Sequence, residues 1–153
     1  MTKPVQFNKE QQAVLDTKGS ALIVGAAGTG KTTLLKLLLN LISVDEGTIR
    51  IEGIDSREID PADLRAQIGY MPQNPHFFSG TLKENIQLHK PWSRDSELAQ
   101  AVQLAGIDQW LASCPMGLSQ PVGERGDYLS GGQRQSVALG RALLGNPKLV
   151  LLD

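Results

Sequence analysis

Hydrophobic residues along the chain fall into short runs that are separated by longer, periodic segments. Three four-residue runs, Ala21–Val24, Ile68–Met71 and Leu149–Leu152, are each followed by glycine, proline or aspartate. Short runs bounded by such residues predict buried strands. Residues 48–52 alternate instead, with two isoleucines on one face, and this alternation predicts a further strand.

The segments between these strands show helical spacing. Proline suits the first helical turn, so Pro61 marks the start of one helix. Ser130 is a favourable cap for another, and Gly145 to Pro147 would end it. The remaining helices are predicted over about residues 8–15, 34–41, 81–88 and 96–105, with residues 114–127 as a glycine- and proline-rich loop. Strands that alternate with helices imply a mostly parallel sheet of the α/β class.

A glycine-rich loop follows the first predicted strand and precedes a helix. Gly25, Gly30, Lys31 and Thr32 satisfy the complete Walker A spacing. The glycines let backbone N–H groups face phosphate oxygens, and the helix start adds a favourable field. Lys31 is predicted to reach the β- and γ-phosphates and Thr32 to bind Mg²⁺, a combination that a chance glycine turn would not need. The predicted ATP-binding residues here are Gly25, Ala26, Ala27, Gly28, Thr29, Gly30, Lys31, Thr32 and Thr33.

Three later segments resemble motifs of the ABC ATPases and occur in that family's order. Residues 70–73 resemble the Q-loop, residues 129–133 resemble the signature motif, and residues 149–153 resemble the Walker B strand with its acidic end. A start of the signature helix that exposes backbone amides is also a plausible phosphate-binding surface on physical grounds. Walker A alone does not choose a family, but the four motifs together indicate this one.

The resemblance implies roles for individual residues. Gln73 and Asp153 would act in catalysis and, together with Thr32, would bind Mg²⁺. Taken singly, Gln73 is an ordinary loop residue, Ser130 an ordinary helix cap and Asp153 a chain end. The signature residues that would meet the nucleotide held by a second domain are Ser130, Gly131, Gly132 and Gln133.

The same resemblance implies an α/β fold of the P-loop NTPase type, with three αβα layers, a mostly parallel sheet and a helical subdomain. We expect one nucleotide-binding domain over residues 1–153, incomplete in its sheet, with ATP and Mg²⁺ as ligands. Its expected parts are 1–33 (N-terminal segment and Walker A), 34–80 (core to the Q-loop), 81–128 (helical subdomain) and 129–153 (signature helix and Walker B).

Residues 122–126 resemble the loop through which ABC exporters contact their membrane domains, with a plain solvated loop as the alternative. Residues 59–65 and 78–86 also resemble exporters, in particular bacterial type I secretion ATPases and related peptide exporters. The implied partners are a transmembrane domain and a second nucleotide-binding domain in a head-to-tail dimer. The implied parent activity is ATP hydrolysis coupled to export.

The N-terminal segment departs from the ABC pattern. Residues 7–12 lead through one predicted helix into the first strand, which resembles the start of a superfamily 1 helicase, where an early glutamine contacts adenine. Gln11 is the matching residue. The chain is therefore interpreted as a possible hybrid joined near the phosphate loop. A recombined or designed nucleotide-binding module without a transport role is the second hypothesis. A helicase fragment is a third, disfavoured because no later helicase motif appears.

Hydrolysis by ABC proteins needs a glutamate after Walker B, a D-loop and a switch histidine, and the sequence given stops at Asp153. His76 and His89 precede the signature and do not match that histidine. We therefore expect this chain to bind MgATP and to hydrolyse it poorly. Residues 48–52 are expected to lack their usual antiparallel partners and to present a bare edge. The transported substrate and the choice between adenine and guanine stay open.

Composition adds three restrictions. The chain carries 15 Lys+Arg and 16 Asp+Glu, so its net charge of −1 offers no basic excess for nucleic acid. Cys114 is the single cysteine, which excludes an internal disulfide. No apolar run approaches the roughly 18 residues of a bilayer span, and no signal peptide is visible. We expect a cytoplasmic protein, peripheral at the inner face of the membrane if a transmembrane partner is present.

Overall fold

The computed structural model of the chain describes residues 21–24, 37, 49–51 and 53–152. Five strands occur there: β1 (Ala21–Val24), β2 (Arg50–Ile51), β3 (Ile54–Asp55), β4 (Ile68–Met71) and β5 (Leu149–Leu152). The α-helices of the same residues are α1 (Pro61–Ala66), α2 (Leu82–Ile86), α3 (Asp95–Leu104), α4 (Asp108–Leu111) and α5 (Gly131–Leu143). Three short 3₁₀ turns cover Ser56–Glu58, Gly117–Ser119 and Glu124–Gly126.

The chain divides into two compact units. The first unit is Met1–Ile68 with Lys148–Asp153, and the second is Gly69–Pro147. In the first unit, β1 and β5 pair in parallel although well over a hundred residues separate them in the sequence. Their register places Ala21 opposite Leu149 and Val24 opposite Leu152. The predicted parallel sheet of an α/β protein is therefore confirmed at this pair of strands.

A small hairpin corrects the prediction that residues 48–52 lack antiparallel partners. β2 pairs antiparallel with β3, so that Arg50 lies opposite Asp55 and Ile51 opposite Ile54. Gly53 has φ +85°, a conformation that glycine adopts without strain and that lets the chain reverse. The sequence analysis did not find β3 because a strand of two residues is too short to show any periodicity.

The second unit has a core of its own, built from α2, α3 and α5 and the loops between them. The one apolar face predicted for residues 96–105 is confirmed, although the helix is α3, Asp95–Leu104. Among the core residues, Leu82, Ile86, Ile107, Val122 and Val137 are completely buried. The buried cluster consists of Phe77, Leu82, Ile86, Leu98, Ala101, Val102, Ala105, Ile107, Val122, Leu129, Val137 and Leu144.

The segment predicted as a loop, residues 114–127, is held to the start of α2. The Leu82 N–H donates to the Gln120 carbonyl at 3.0 Å, and the Val122 N–H donates to the Gly80 carbonyl at 2.9 Å. The segment also contains the two 3₁₀ turns that glycine-rich composition did not reveal. These backbone hydrogen bonds fix residues 120–122, which precede α5, against the start of α2.

Candidate nucleotide-binding site

The predicted phosphate loop is flanked by the elements that Walker A requires. β1 ends at Val24, directly before Gly25, and Leu37 lies in a helix with its side chain only 2% exposed. The register partner of Val24 is Leu152. Because the strands are parallel, the chain leaves both of them at the carboxyl edge, where α/β proteins bind ligands. The loop residues 25–33, like Gln11 and Asp153, lie outside the described residues.

Gln73 lies in an exposed turn that follows β4, as predicted for a Q-loop. The chain on either side of this turn is held to the last part of α5. Before the turn, Gly69 lies so close to α5 that an added Cβ would overlap the Ala142 carbonyl oxygen. After the turn, the His76 carbonyl accepts a hydrogen bond from Arg141 Nη1 at 2.9 Å. We call residues 72–75 the Gln73 turn.

The predicted signature motif forms the beginning of α5. Ser130 is the N-cap, and its Oγ accepts a hydrogen bond from the Gln133 N–H at 3.2 Å. In return, the Ser130 N–H donates to Gln133 Oε1 at 2.9 Å. This capping box satisfies two backbone donors and leaves the hydroxyl hydrogen of Ser130 and the side-chain amide of Gln133 able to donate elsewhere. The prediction that Ser130 caps this helix is confirmed.

Two glycines follow the cap, and the fold gives no steric reason for either. Gly131 and Gly132 are exposed, and an added Cβ at either position would meet no atom within 4 Å. Neither has a positive φ. Within residues 53–152, their N–H groups have no hydrogen-bond acceptor. The start of α5 therefore presents free amide donors without side chains that would keep an anion at a distance.

The Q-loop and the signature are not brought into contact with each other. Gly69 and His76, on either side of the Gln73 turn, contact the C-terminal part of α5, whereas Ser130 caps its N-terminal end. The eleven positions from Ser130 to Arg141 correspond to about 16 Å along an α-helix. One helix, α5, therefore begins with the signature motif and, near its other end, contacts the residues on either side of the Gln73 turn.

Sequence reasoning missed two polar residues in the core of the second unit. Asn85 is 2% exposed, and its side-chain amide donates to the carbonyls of Phe78 (2.9 Å) and Thr81 (3.1 Å). Arg141 Nε donates to the Asn85 carbonyl at 2.8 Å. A signal existed, because Arg141 follows Val137 by four positions and so falls on the apolar face of α5. Burial lowers the pKa of the Arg141 guanidinium, which nonetheless stays charged at neutral pH.

Residues 122–126 form a tight, strained loop. Val122 is fully buried, whereas Glu124 and Arg125 are exposed. Arg125 has φ 55°, which is unusual for a residue with a side chain and costs of the order of 1 kcal/mol. Gly126 has φ +77°, and a Cβ there would come within 2.9 Å of the Phe77 ring. The loop is fixed from inside and displays two charged side chains outward.

Two absences hold for the described part of the chain. No group of three or more His, Cys, Asp or Glu side chains is gathered there in a way that could hold a metal ion. None of its helices combines the length and the apolar character that a bilayer crossing requires. The residues predicted to bind Mg²⁺ fall on both sides of this limit, since Gln73 is described and Thr32 and Asp153 are not.

Comparison with known proteins identifies the family. A sequence model described as "ABC transporter" matches residues 12–153. A putative export ATP-binding/permease protein of Rickettsia felis is 41% identical over 131 residues, which is 86% of this chain and 23% of that protein. The multidrug resistance protein pgp-1 of Caenorhabditis elegans is 40% identical over 131 residues, 86% of this chain and 10% of that protein. The chain thus spans less than a quarter of these relatives.

A solved structure agrees with the sequence matches. The structure of a bacterial Atm1-family ABC exporter with ATP bound is similar to 88% of this chain and to 24% of its own, with TM-score 0.76 and 37% identity. The P-loop NTPase fold is thereby confirmed. The family match begins at residue 12, upstream of Walker A, and the helicase-like interpretation of the N-terminal segment stays a hypothesis. The chain belongs to the ABC transporter family and corresponds to its ATP-binding domain, with exporters among its relatives.

Proposed function

We propose that this chain binds MgATP as the ATP-binding domain of an exporter, whose parent activity is ATP hydrolysis coupled to export through a transmembrane partner and a second nucleotide-binding domain. The observation that carries the proposal is the start of α5. Gly131 and Gly132 are exposed there, and the described fold would leave room for a side chain at either position. Glycine lowers the stability of a helix. Its presence at this position indicates that a ligand must come close to the backbone. A phosphate group held by a second domain fits the free amides and the field of the helix.

Each residue of the proposed site has a distinct task. Lys31 would neutralise charge on the β- and γ-phosphates, and the glycine loop would orient them through backbone amides. Thr32, Gln73 and Asp153 would hold Mg²⁺, which neutralises charge on the transferring phosphoryl group. Ser130 and the two glycines would donate to the γ-phosphate bound on the partner domain. ATP-binding domains of this family bind ATP with Mg²⁺, which supports this assignment.

We propose that the loop at residues 122–126 contacts the transmembrane partner. Glu124 and Arg125 are exposed on a backbone that is fixed from the inside by Val122 and Gly126. A rigid loop with outward charges suits contact with a cytoplasmic extension of a transmembrane domain, because little flexibility is lost on binding. The relatives that combine ATP-binding and permease segments in one protein support this proposal.

The test of nucleotide binding is Lys31→Ala. Removing this ammonium group takes away charge-assisted hydrogen bonds worth roughly 1.5–3 kcal/mol, so ATP affinity should fall about ten- to a hundredfold. Isothermal titration with MgATP measures the loss, and circular dichroism checks that the variant is folded. Unchanged affinity would remove the central claim. The same titrations with GTP, repeated on Gln11→Ala, examine whether Gln11 contacts the base.

We further propose that a polypeptide of these 153 residues turns MgATP over slowly, because the glutamate and histidine of the family's hydrolytic site are not among them. General-base assistance typically contributes about 10²–10⁴-fold to rate. Phosphate release at saturating MgATP should therefore be far below that of a version extended past Asp153 with those motifs. Equal, Lys31-dependent rates in the two proteins would show that another residue serves as the base.

A further inference from the structure

Arg141 is a partly buried cation that forms no ion pair with any carboxylate of residues 53–152. It is instead surrounded by neutral groups. Nε and Nη1 donate to the carbonyls of Asn85 and His76 at 2.8 and 2.9 Å, and the guanidinium carbon lies 5.3 Å from the centre of the Phe77 ring. Two carbonyls and one aromatic face match the planar fork of a guanidinium better than any other side chain.

A partly buried charge with no opposite charge among the described residues is costly, so Arg141 needs an explanation beyond filling space. Its partners are not spread over the core. All of them belong to the strip that runs from the Gln73 turn into α2. Asn85 also binds this strip. The Phe78 N–H donates to Asn85 Oδ1 at 3.1 Å, and the Asn85 amide donates back to the Phe78 carbonyl.

The other side of the Gln73 turn is held by the very next residue of the helix. Gly69 lies against the Ala142 carbonyl with no room for a side chain. Neighbouring residues of α5, Arg141 and Ala142, therefore fix the chain after and before Gln73. The turn between these two anchors has no freedom to shift along the helix unless one of them is released.

We propose that Arg141 is a positioning residue that locks the Gln73 turn to the helix whose first turn carries Ser130. The proposal rests on the proposed function, in which Gln73 contributes to binding Mg²⁺. A movement of Gln73 toward the bound metal and phosphate would then shift α5 and with it Ser130, which lies about 16 Å along the helix from Arg141. One rigid element would couple the nucleotide on its own domain to the one on the partner domain.

The alternative is that Arg141 only stabilises the core, and a double-mutant cycle separates the two. The variants are Gln73→Ala, Arg141→Met and the pair, and the measured quantity is the ratio of the ATP dissociation constants in EDTA and in Mg²⁺. Loss of one amide ligand to Mg²⁺, comparable in strength to a single hydrogen bond, should lower this ratio about fivefold in Gln73→Ala. We expect a similar loss in Arg141→Met and no further loss in the double variant.

Two further variants sharpen the experiment. Leu98→Ala removes a side chain that is 3% exposed in the same core, and should cost stability while leaving the Mg²⁺ ratio unchanged. Arg141→Lys keeps the cation near Phe77 but loses the planar fork, so its ratio should lie between wild type and Arg141→Met. If Arg141→Met does not fold, Arg141→Lys takes its place in the cycle, with a partial loss expected on its own and no loss beyond that of Gln73→Ala in the double variant.

Several outcomes overturn the inference and leave the proposed function standing. They are additive losses in the double variant, an unchanged ratio in Gln73→Ala, and a loss in Leu98→Ala equal to that in the Arg141 variant. Failure of the wild-type chain to bind ATP, or binding that is indifferent to Lys31→Ala, contradicts the proposed function itself.

Discussion

Three glycines of the second unit illustrate three different reasons for the same residue. Gly69 is fixed by lack of space, since any Cβ would overlap a backbone carbonyl. Gly126 is fixed by its φ of +77° and by the Phe77 ring. Gly132 has neither constraint, because its surroundings are open and its backbone is ordinary. Of these three, Gly132 is the one for which the described residues give no reason, which fits its proposed contact with a partner's phosphate.

Gly132→Ala should separate folding from function. Alanine in place of an unconstrained helical glycine should raise the free energy of unfolding by up to about 1 kcal/mol. At the same time, the new methyl group would stand between the backbone amides and a partner's phosphate. We expect urea denaturation to show a more stable protein, and sedimentation to show weaker MgATP-dependent self-association.

Gly126→Ala is the matched control, since the same chemical change at that position creates a clash and strain. It should lower the free energy of unfolding by more than 1 kcal/mol, in the range of about 1–3 kcal/mol. A Gly132→Ala protein that is less stable than wild type would show that this glycine serves the fold, and one that self-associates as strongly would contradict its proposed contact with a partner's phosphate.

At the level of elements, two helices begin with the same reciprocal cap but with different partners. In α2, the Thr81 N–H and hydroxyl donate to Glu84 Oε2 at 2.7 and 2.9 Å, and the Glu84 N–H donates to Thr81 Oγ1 at 3.2 Å. In α5, the corresponding partner of Ser130 is the neutral Gln133. A carboxylate would be the better neighbour for a helix start, and its absence in α5 is consistent with a bound anion there.

Thr81→Ala should destabilise the second unit through α2. The variant loses the oxygen that accepts from the Glu84 N–H, and the loss of such a cap costs about 1 kcal/mol. Thr81→Ser keeps the oxygen and should differ from wild type by only a few tenths of a kcal/mol. Urea unfolding curves of the three proteins measure this difference, and equal midpoints for all three would show that the cap contributes nothing.

The pH dependence of this cap has a definite sign. Hydrogen bonds from the Thr81 backbone and then its hydroxyl hold the pKa of Glu84 below its ordinary value of 4.5. The stabilisation is therefore complete above 4.5 and disappears as the pH falls through the lower value in the folded protein. Thr81→Ala keeps the backbone N–H and loses the hydroxyl, so the part of the stability difference that comes from the hydroxyl bond to Glu84 should disappear in acid.

Periodicity predicted the long elements well and the short ones poorly. The strand at Leu149–Leu152 and the helix after Ser130 are confirmed because burial of one face imposes a visible pattern over several residues. The hairpin partner Ile54–Asp55 was missed because two residues carry no pattern. The hydrogen bonds that Asn85 and Arg141 make to backbone carbonyls were missed for another reason. Bonds between a side chain and residues distant in sequence depend on tertiary structure, which local sequence patterns do not predict.

At the scale of the whole molecule, the motifs divide between the two units. The phosphate loop and Asp153 fall within the ranges of the first unit, and Gln73 and Ser130 fall within the second. Motif order in the sequence was sufficient to predict which family the chain belongs to, and the site residues stay a prediction. It was not sufficient to predict that Gln73 and Ser130 share one helix as a common support, because that arrangement is set by the close contact of Gly69 with α5.

That close contact also limits how the chain can change over generations. Every base change at the first or second position of a glycine codon gives a stop or a residue that carries a Cβ, and at Gly69 any Cβ would overlap the Ala142 carbonyl oxygen. No single amino acid replacement at this position is free of that overlap. The codon can therefore drift only at its silent third base.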